Sequence, residues 1–174
     1  MESEIFNAEG EEEYRNGMEL LFSQEQWNRR KALELFLKAA AKGHAEAMLQ
    51  VGILYMQGGP QITQNPAKAF HCFQKSAEEG IMLAKYHLAE CYKNGMGTEK
   101  NIQESIRLFE ESAKYIIDSA RELSFIYYGG LDGVSKDLKK AKKYIDCVVS
   151  SGVATVPDQF LQMHLNHLLG EMTK

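Results

Sequence analysis

An aromatic residue that returns every 36 or 37 positions constrains this 174-residue chain more than any other feature. Phe36, Phe73 and Phe109 recur at that spacing, and Ile145 takes the fourth place. Their neighbours keep step: Ala32, Phe36 and Ala40; Ala69, Phe73 and Ala77; Ser105, Phe109 and Ala113; Ala141, Ile145 and Val149. Spacing of i, i+4 and i+8 lays each triplet along one helix face, small at both ends and large in the middle. These segments are termed B helices.

A second set of segments precedes three of them: "AMLQVGILYMQG", "AKYHLAECYKNG" and "SARELSFIYYGG". Each runs from a small residue through an apolar–small pair to a Tyr and then a Gly. The positions are Ala47, Val51, Gly52, Tyr55 and Gly58; Ala84, Leu88, Ala89, Tyr92 and Gly95; Ser119, Leu123, Ser124, Tyr127 and Gly130. The small residues let a partner helix approach closely. These are A helices, and the chain reads as a row of helical hairpins.

The glycine pair in "YKNGMGTEKN", residues 92–101, suggests a phosphate cradle until the neighbouring copies are aligned. It then occupies the slot of "QGGPQITQN" and "YGGLDGVSKD", a turn between an A and a B helix. Gly58, Gly95 and Gly130 are expected to end the A helices. Asn65, Asn101 and Asp137 are expected to cap the B helices, with Pro66 at a first helical position and Asn101 with Glu104 as a capping-box pair.

The pattern "A-x-x-x-L-G-x-x-Y-x-x-G-x-G", followed by "D/N-x-x-K-A" and "K-A-A-E-x-G", resembles the Sel-1-like repeat, a relative of the tetratricopeptide repeat. Residues 45–152 match best, with "KSAEEG" and "GGLDGVSKDLKKA" closest to the pattern. Residues 9–44 resemble a divergent first repeat with a shortened turn, in which Gly17 replaces the small residue and Leu20 the Tyr. Ile116 stands where Gly80 and Gly152 sit, so the exit turn there should differ. The resemblance implies an all-α, right-handed α-solenoid of stacked antiparallel hairpins, with A helices lining the inner wall. The implied organisation is an acidic N-terminal tail (1–8) and one repeat domain (9–174). That domain comprises repeats 9–44, 45–80, 81–116 and 117–152 and a capping helix, 157–173. The last helix should start at an N-cap, Asp158, and close the stack with Leu161, Leu165, Leu168 and Leu169.

Composition narrows the function. With 20 Lys plus Arg against 24 Asp plus Glu, nothing favours nucleic acid or an anionic membrane as partner. No segment reads as a membrane span or export signal, so the expected compartment is the cytoplasm. Cys72, Cys91 and Cys147 are an odd, scattered set, expected to be reduced and to pack as small apolar residues. No spacing indicates a catalytic set, a cofactor or a metal site. His164 and His167 are three apart, with no third ligand apparent.

The expectation is therefore a non-enzymatic interaction or scaffold module, monomeric or weakly homo-oligomeric, binding a protein or peptide partner along the A helices. Alternatives are a self-assembling repeat protein or a regulatory or immunity-type subunit of an enzyme or effector complex. Turning each A helix at 100° per residue gives a second face opposite the packed one. Its residues are Leu49, Ile53 and Met56; Tyr86, Glu90 and Lys93, with Asn94 alongside; Arg121, Phe125 and Tyr128; and, in the first repeat, Tyr14, Met18 and Leu21. Aromatics and Met mixed with a few charges resemble a binding surface. The competing reading is that the superhelix curls these residues into extra core.

Overall fold

The computed structural model describes residues 10–23 and 28–171. The expected tail, 1–8, part of the first repeat's turn, 24–27, and positions 172–173 of the expected last helix lie outside the described residues. The described residues form α1 (Glu11–Phe22), α2 (Asn28–Ala41), α3 (Ala45–Gln57), α4 (Pro66–Glu78), α5 (Met82–Asn94), α6 (Ile102–Ser112), α7 (Ile117–Gly129), α8 (Leu138–Ser150) and α9 (Val156–Glu171). Odd-numbered helices up to α7 are A helices and even-numbered ones are B helices. Each helix packs chiefly against its neighbours in sequence, which makes the fold an α-solenoid.

The B-helix row is the spine of the core. Phe36, Phe73, Phe109 and Ile145 are all fully buried. The close approach expected of the A helices is visible at Gly52, where a Cβ would stand 2.5 Å from Cε1 of Phe73. At Gly17 a Cβ would stand 2.7 Å from Cε1 of Phe36, so the first hairpin repeats the same contact. The third member of the triplet differs from expectation in three of the four hairpins, Ala77 being buried as expected. Ala40, Ala113 and Val149 are only half-buried, whereas Ala39, Ser76, Ser112 and Val148, one residue earlier, are fully buried. At 100° per residue, i+7 returns to within 20° of the starting direction while i+8 overshoots by 80°.

The turns follow the caps. Asn65, Asn101 and Asp137 accept from the backbone N–H of Lys68, Glu104 and Lys140 at 3.0, 3.1 and 2.9 Å. Their own N–H groups donate to the carbonyls of Tyr55, Tyr92 and Tyr127, tying each B-helix start to the preceding A helix. That bond replaces the reciprocal arm expected of a capping box, and Glu104 turns instead to Arg107. Gly97 has φ +74° and lies against the Pro66 carbonyl, leaving no room for a side chain. Gly97 therefore wedges its turn against the hairpin before it, while Gly95 faces only its own turn.

Two junctions depart from the repeat. Between α6 and α7, N–H groups of Tyr115 and Ile116 donate to the Ser112 carbonyl at 2.9 and 2.8 Å, with no left-handed residue. The Ser112 and Ser119 hydroxyls share a hydrogen bond of 2.7 Å there. At α9 the helix starts at Val156, earlier than expected. Asp158 lies inside the first turn, where its carboxylate accepts from the Thr155 N–H (2.8 Å) and hydroxyl (2.9 Å). Thr155 is thus the N-cap and Asp158 supplies the returning arm of a capping box. Leu161 and Leu165 are buried, while Leu168 and Leu169 are half-buried.

Candidate partner-binding surface

Counting from the third residue of each helix aligns α9 with the A helices. Ala47, Ala84, Ser119 and Asp158 hold that place, and each is 0 or 1% exposed. Two residues on come Leu49, Tyr86, Arg121 and Phe160. Four further come Ile53, Glu90, Phe125 and His164, and three more bring Met56, Lys93, Tyr128 and His167. The second face of the A helices therefore continues onto α9. Sequence reasoning read that helix as a cap, left Phe160 out and weighed His164 only as a metal ligand, because an acidic residue fills the slot that is small elsewhere.

The structure divides this wall. At one end Tyr14 is half-buried, stacked on His44 at 4.5 Å and tilted against Phe36 at 5.8 Å, with Met18 packed beside the same core. Leu49 is 4% exposed and belongs to the core, which corrects its assignment as a surface anchor: the neighbouring hairpin covers it. Ile53 and Met56 are half-buried against that core. Tyr86 rests on Phe109, ring centroids 5.8 Å apart. Burial first, then the charges of Glu90, Glu122 and Asp118, hold its hydroxyl well above the ordinary tyrosine range.

The charged residues expected to orient a partner are engaged within the chain. Lys93 reaches Glu122 on α7 at 2.6 Å, and Glu90 pairs with His87 at 3.1 Å. Arg121 presents Nε to both carboxylate oxygens of Asp158 at 3.1 Å and pairs with Asp118 as well. Burial pushes the Asp158 carboxyl up, but the Thr155 and Arg121 hydrogen bonds outweigh it and hold the group below the usual carboxylate range. Lys93 and Arg121 thus latch successive A-type helices together. Asn94 is exposed.

Beyond these latches the wall opens. Phe125 is 44% exposed and Phe160 66% exposed. Between α7 and α9 lies a cleft of about 530 Å³ lined by Tyr128, Val156, Pro157, Phe160, Leu161 and His164. Tyr128 meets His164 edge-on at 6.0 Å and lies under the Lys136 ammonium at 5.2 Å. A smaller hollow of about 300 Å³ adjoins Phe125, Lys93, Asn94 and Leu131.

The remaining candidates resolve simply. Cys91 is buried, and burial pushes its thiol up to about 12, while Cys72 is half-buried. Cys147 is exposed, contrary to the packing expected of it, because it lies off the buried Ala141, Ile145 and Val148 stripe of α8. Among the described residues no group of three or more His, Cys, Asp and Glu side chains could hold a metal ion. None of the described helices is long and apolar enough to cross a membrane.

Four tandem matches to the Sel1 repeat, at residues 13–44, 45–81, 83–114 and 117–146, show that the chain belongs to the Sel1 repeat family. A crystal structure of a Sel1 repeat protein from Oxalobacter formigenes shares the fold, with a TM-score of 0.72 and 21% identity over 82% of this chain and 58% of that one. Among relatives, chitin synthase regulatory factor 2 of Schizosaccharomyces pombe is 27% identical over 105 residues, 60% of this chain and 20% of its own. DAP3-binding cell death enhancer 1 of Rattus norvegicus is 30% identical over 94 residues, 54% of this chain and 18% of its own. The matched stretch spans about a fifth of the length of these curated relatives.

Proposed function

We propose that the protein is a non-catalytic interaction module that holds a peptide or helix of a partner protein along the A-helix wall. One observation carries this reading: the wall ends in two exposed aromatics, Phe160 lining a cleft with no charged side chain in its lining and Phe125 in the neighbouring hollow. Apolar concavities of this kind, rimmed by polar residues, suit a small number of buried anchors. The names of two relatives, a regulatory factor and a binding protein, fit the same role. Of the wall residues, Phe125, Tyr128 and Phe160 are the anchors, with Tyr86 contributing its exposed edge and Asn94 its amide.

The test is affinity capture with wild type, a Phe125→Ala/Phe160→Ala double variant and a Lys139→Ala variant on α8, each verified as folded by circular dichroism. The double variant should lose the partners that wild type and the α8 variant retain. Equal capture by all three would reject the wall as the binding surface.

A further inference from the structure

We infer that the α7/α9 cleft receives residues 1–9 of a second copy of this chain, joining copies head to tail. The inference rests on reading the A-helix wall as a binding surface and names the ligand of its last section. The chemistry of the cleft sets what can enter. Its lining, Tyr128, Val156, Pro157, Phe160, Leu161 and His164, is apolar or aromatic. The one carboxylate beside it, Asp158, already serves Thr155 and Arg121. At the rim Lys136 is exposed and spread over the Tyr128 ring, with no carboxylate within ion-pair distance among the described residues. Other lysines near the wall are paired, Lys93 with Glu122 and Lys100 with Asp132. The vacant requirement is a bulky apolar side chain with a carboxylate next to it.

The segment "MESEIFNAE" supplies that combination, with Ile5 and Phe6 following Glu2 and Glu4 and no basic residue. The same copy cannot deliver it. Phe6 precedes Gly10 by four residues, at most ~14 Å of extended chain. Gly10 is buried against Ala39 and His44 in the first hairpin, whereas the cleft lies four A-type helices further on, ~30–40 Å away at ordinary helix spacing. When a second copy sets its first hairpin beside α9, four residues are enough to bring Phe6 to Phe160. The contact joins two different surfaces, so it repeats from copy to copy and yields a series of oligomers, open or closed into a ring according to the rotation at each step.

Sedimentation velocity of the full chain over increasing concentration tests this, with circular dichroism on each variant. Wild type should sediment faster as concentration rises. Phe6→Ala and Phe160→Ala should each move the association midpoint up by about tenfold or more. Lys136→Glu should weaken association by a smaller factor, and adding Glu4→Lys to it should restore part of the loss. Synthetic MESEIFNAE peptide should dissociate the wild-type species. A wild type that stays monomeric throughout, or a Phe6→Ala chain that associates as wild type does, overturns the inference. Phe6 precedes the first described helix in sequence, so that variant decides even where Phe160→Ala impairs folding. Capture of a foreign partner through Phe125 is read separately, so loss of self-association leaves the broader reading of the wall intact.

Discussion

Two rows of side chains run the length of the stack with the same period, and they behave in opposite ways. The B-helix row repeats itself, Phe36, Phe73, Phe109 and Ile145, and every member is buried. The A-helix row changes at each step, from Tyr14 through Leu49, Tyr86 and Arg121 to Phe160, and its exposure runs from 4% at Leu49 to 66% at Phe160. The B residues face the same gap in each copy, bounded by a small A-helix residue such as Gly17 or Gly52, so one shape fits all. The wall residues meet no such repeated partner. Some fill a local gap, some latch the next helix and some stay open, and this variation is what allows a repeat array to recognise one partner.

The largest effect that would break the comparison lies in the B row. Phe73→Ala should cost ~3–5 kcal/mol, measured by denaturant unfolding, because Phe73 is 1% exposed and the adjacent backbone of α3 cannot collapse fully onto the space. Leu49→Ala should behave like a B-row change despite its wall register, losing ~2–5 kcal/mol. A loss below about 1 kcal/mol at Leu49 would mean that it belongs with the open wall after all.

A smaller effect concerns the latch that extends the wall onto α9. Asp158→Asn keeps the shape but removes the charge that Arg121 and Thr155 address, and should cost ~1–3 kcal/mol. The Asp158 carboxyl is held below its ordinary value in the folded state, so its contribution is fully present above the unfolded pKa of about 4 and fades as pH falls through the lower folded value. Thermal melts from pH 7 to pH 3 should therefore show wild type and Asp158→Asn converging only below about pH 4. A gap that stayed constant across that range would remove the ionic latch from the account.

At the small end, Phe125→Ala should change stability by no more than ~0.5 kcal/mol, since the ring is 44% exposed. Set beside Leu49→Ala, it separates two residues from the same face of equivalent helices.

The hairpins were legible because their signals are local and repeated. Glycines placed the A-helix ends, Asn65, Asn101 and Asp137 placed the caps, and the alignment of Gly17 with the small A-helix residue agrees with the matching contacts of Gly17 on Phe36 and Gly52 on Phe73. The wall was legible as a face but not as a surface. Whether Leu49 or Phe125 meets solvent depends on how the adjacent hairpin leans, and no sequence period encodes that. The start of helix α9 was misread for a chemical reason. An Asp at the third position signals an N-cap by residue type, yet here Arg121, 37 positions away, makes it a buried residue and so extends the wall by one helix.

The most direct measurement is site-specific photo-crosslinking in source lysate, with a benzophenone amino acid placed at Phe125 or, on α8, at Lys139. The account predicts discrete partner adducts from position 125 and none from position 139. Adducts from position 139 alone would place recognition on the B-helix face and contradict it.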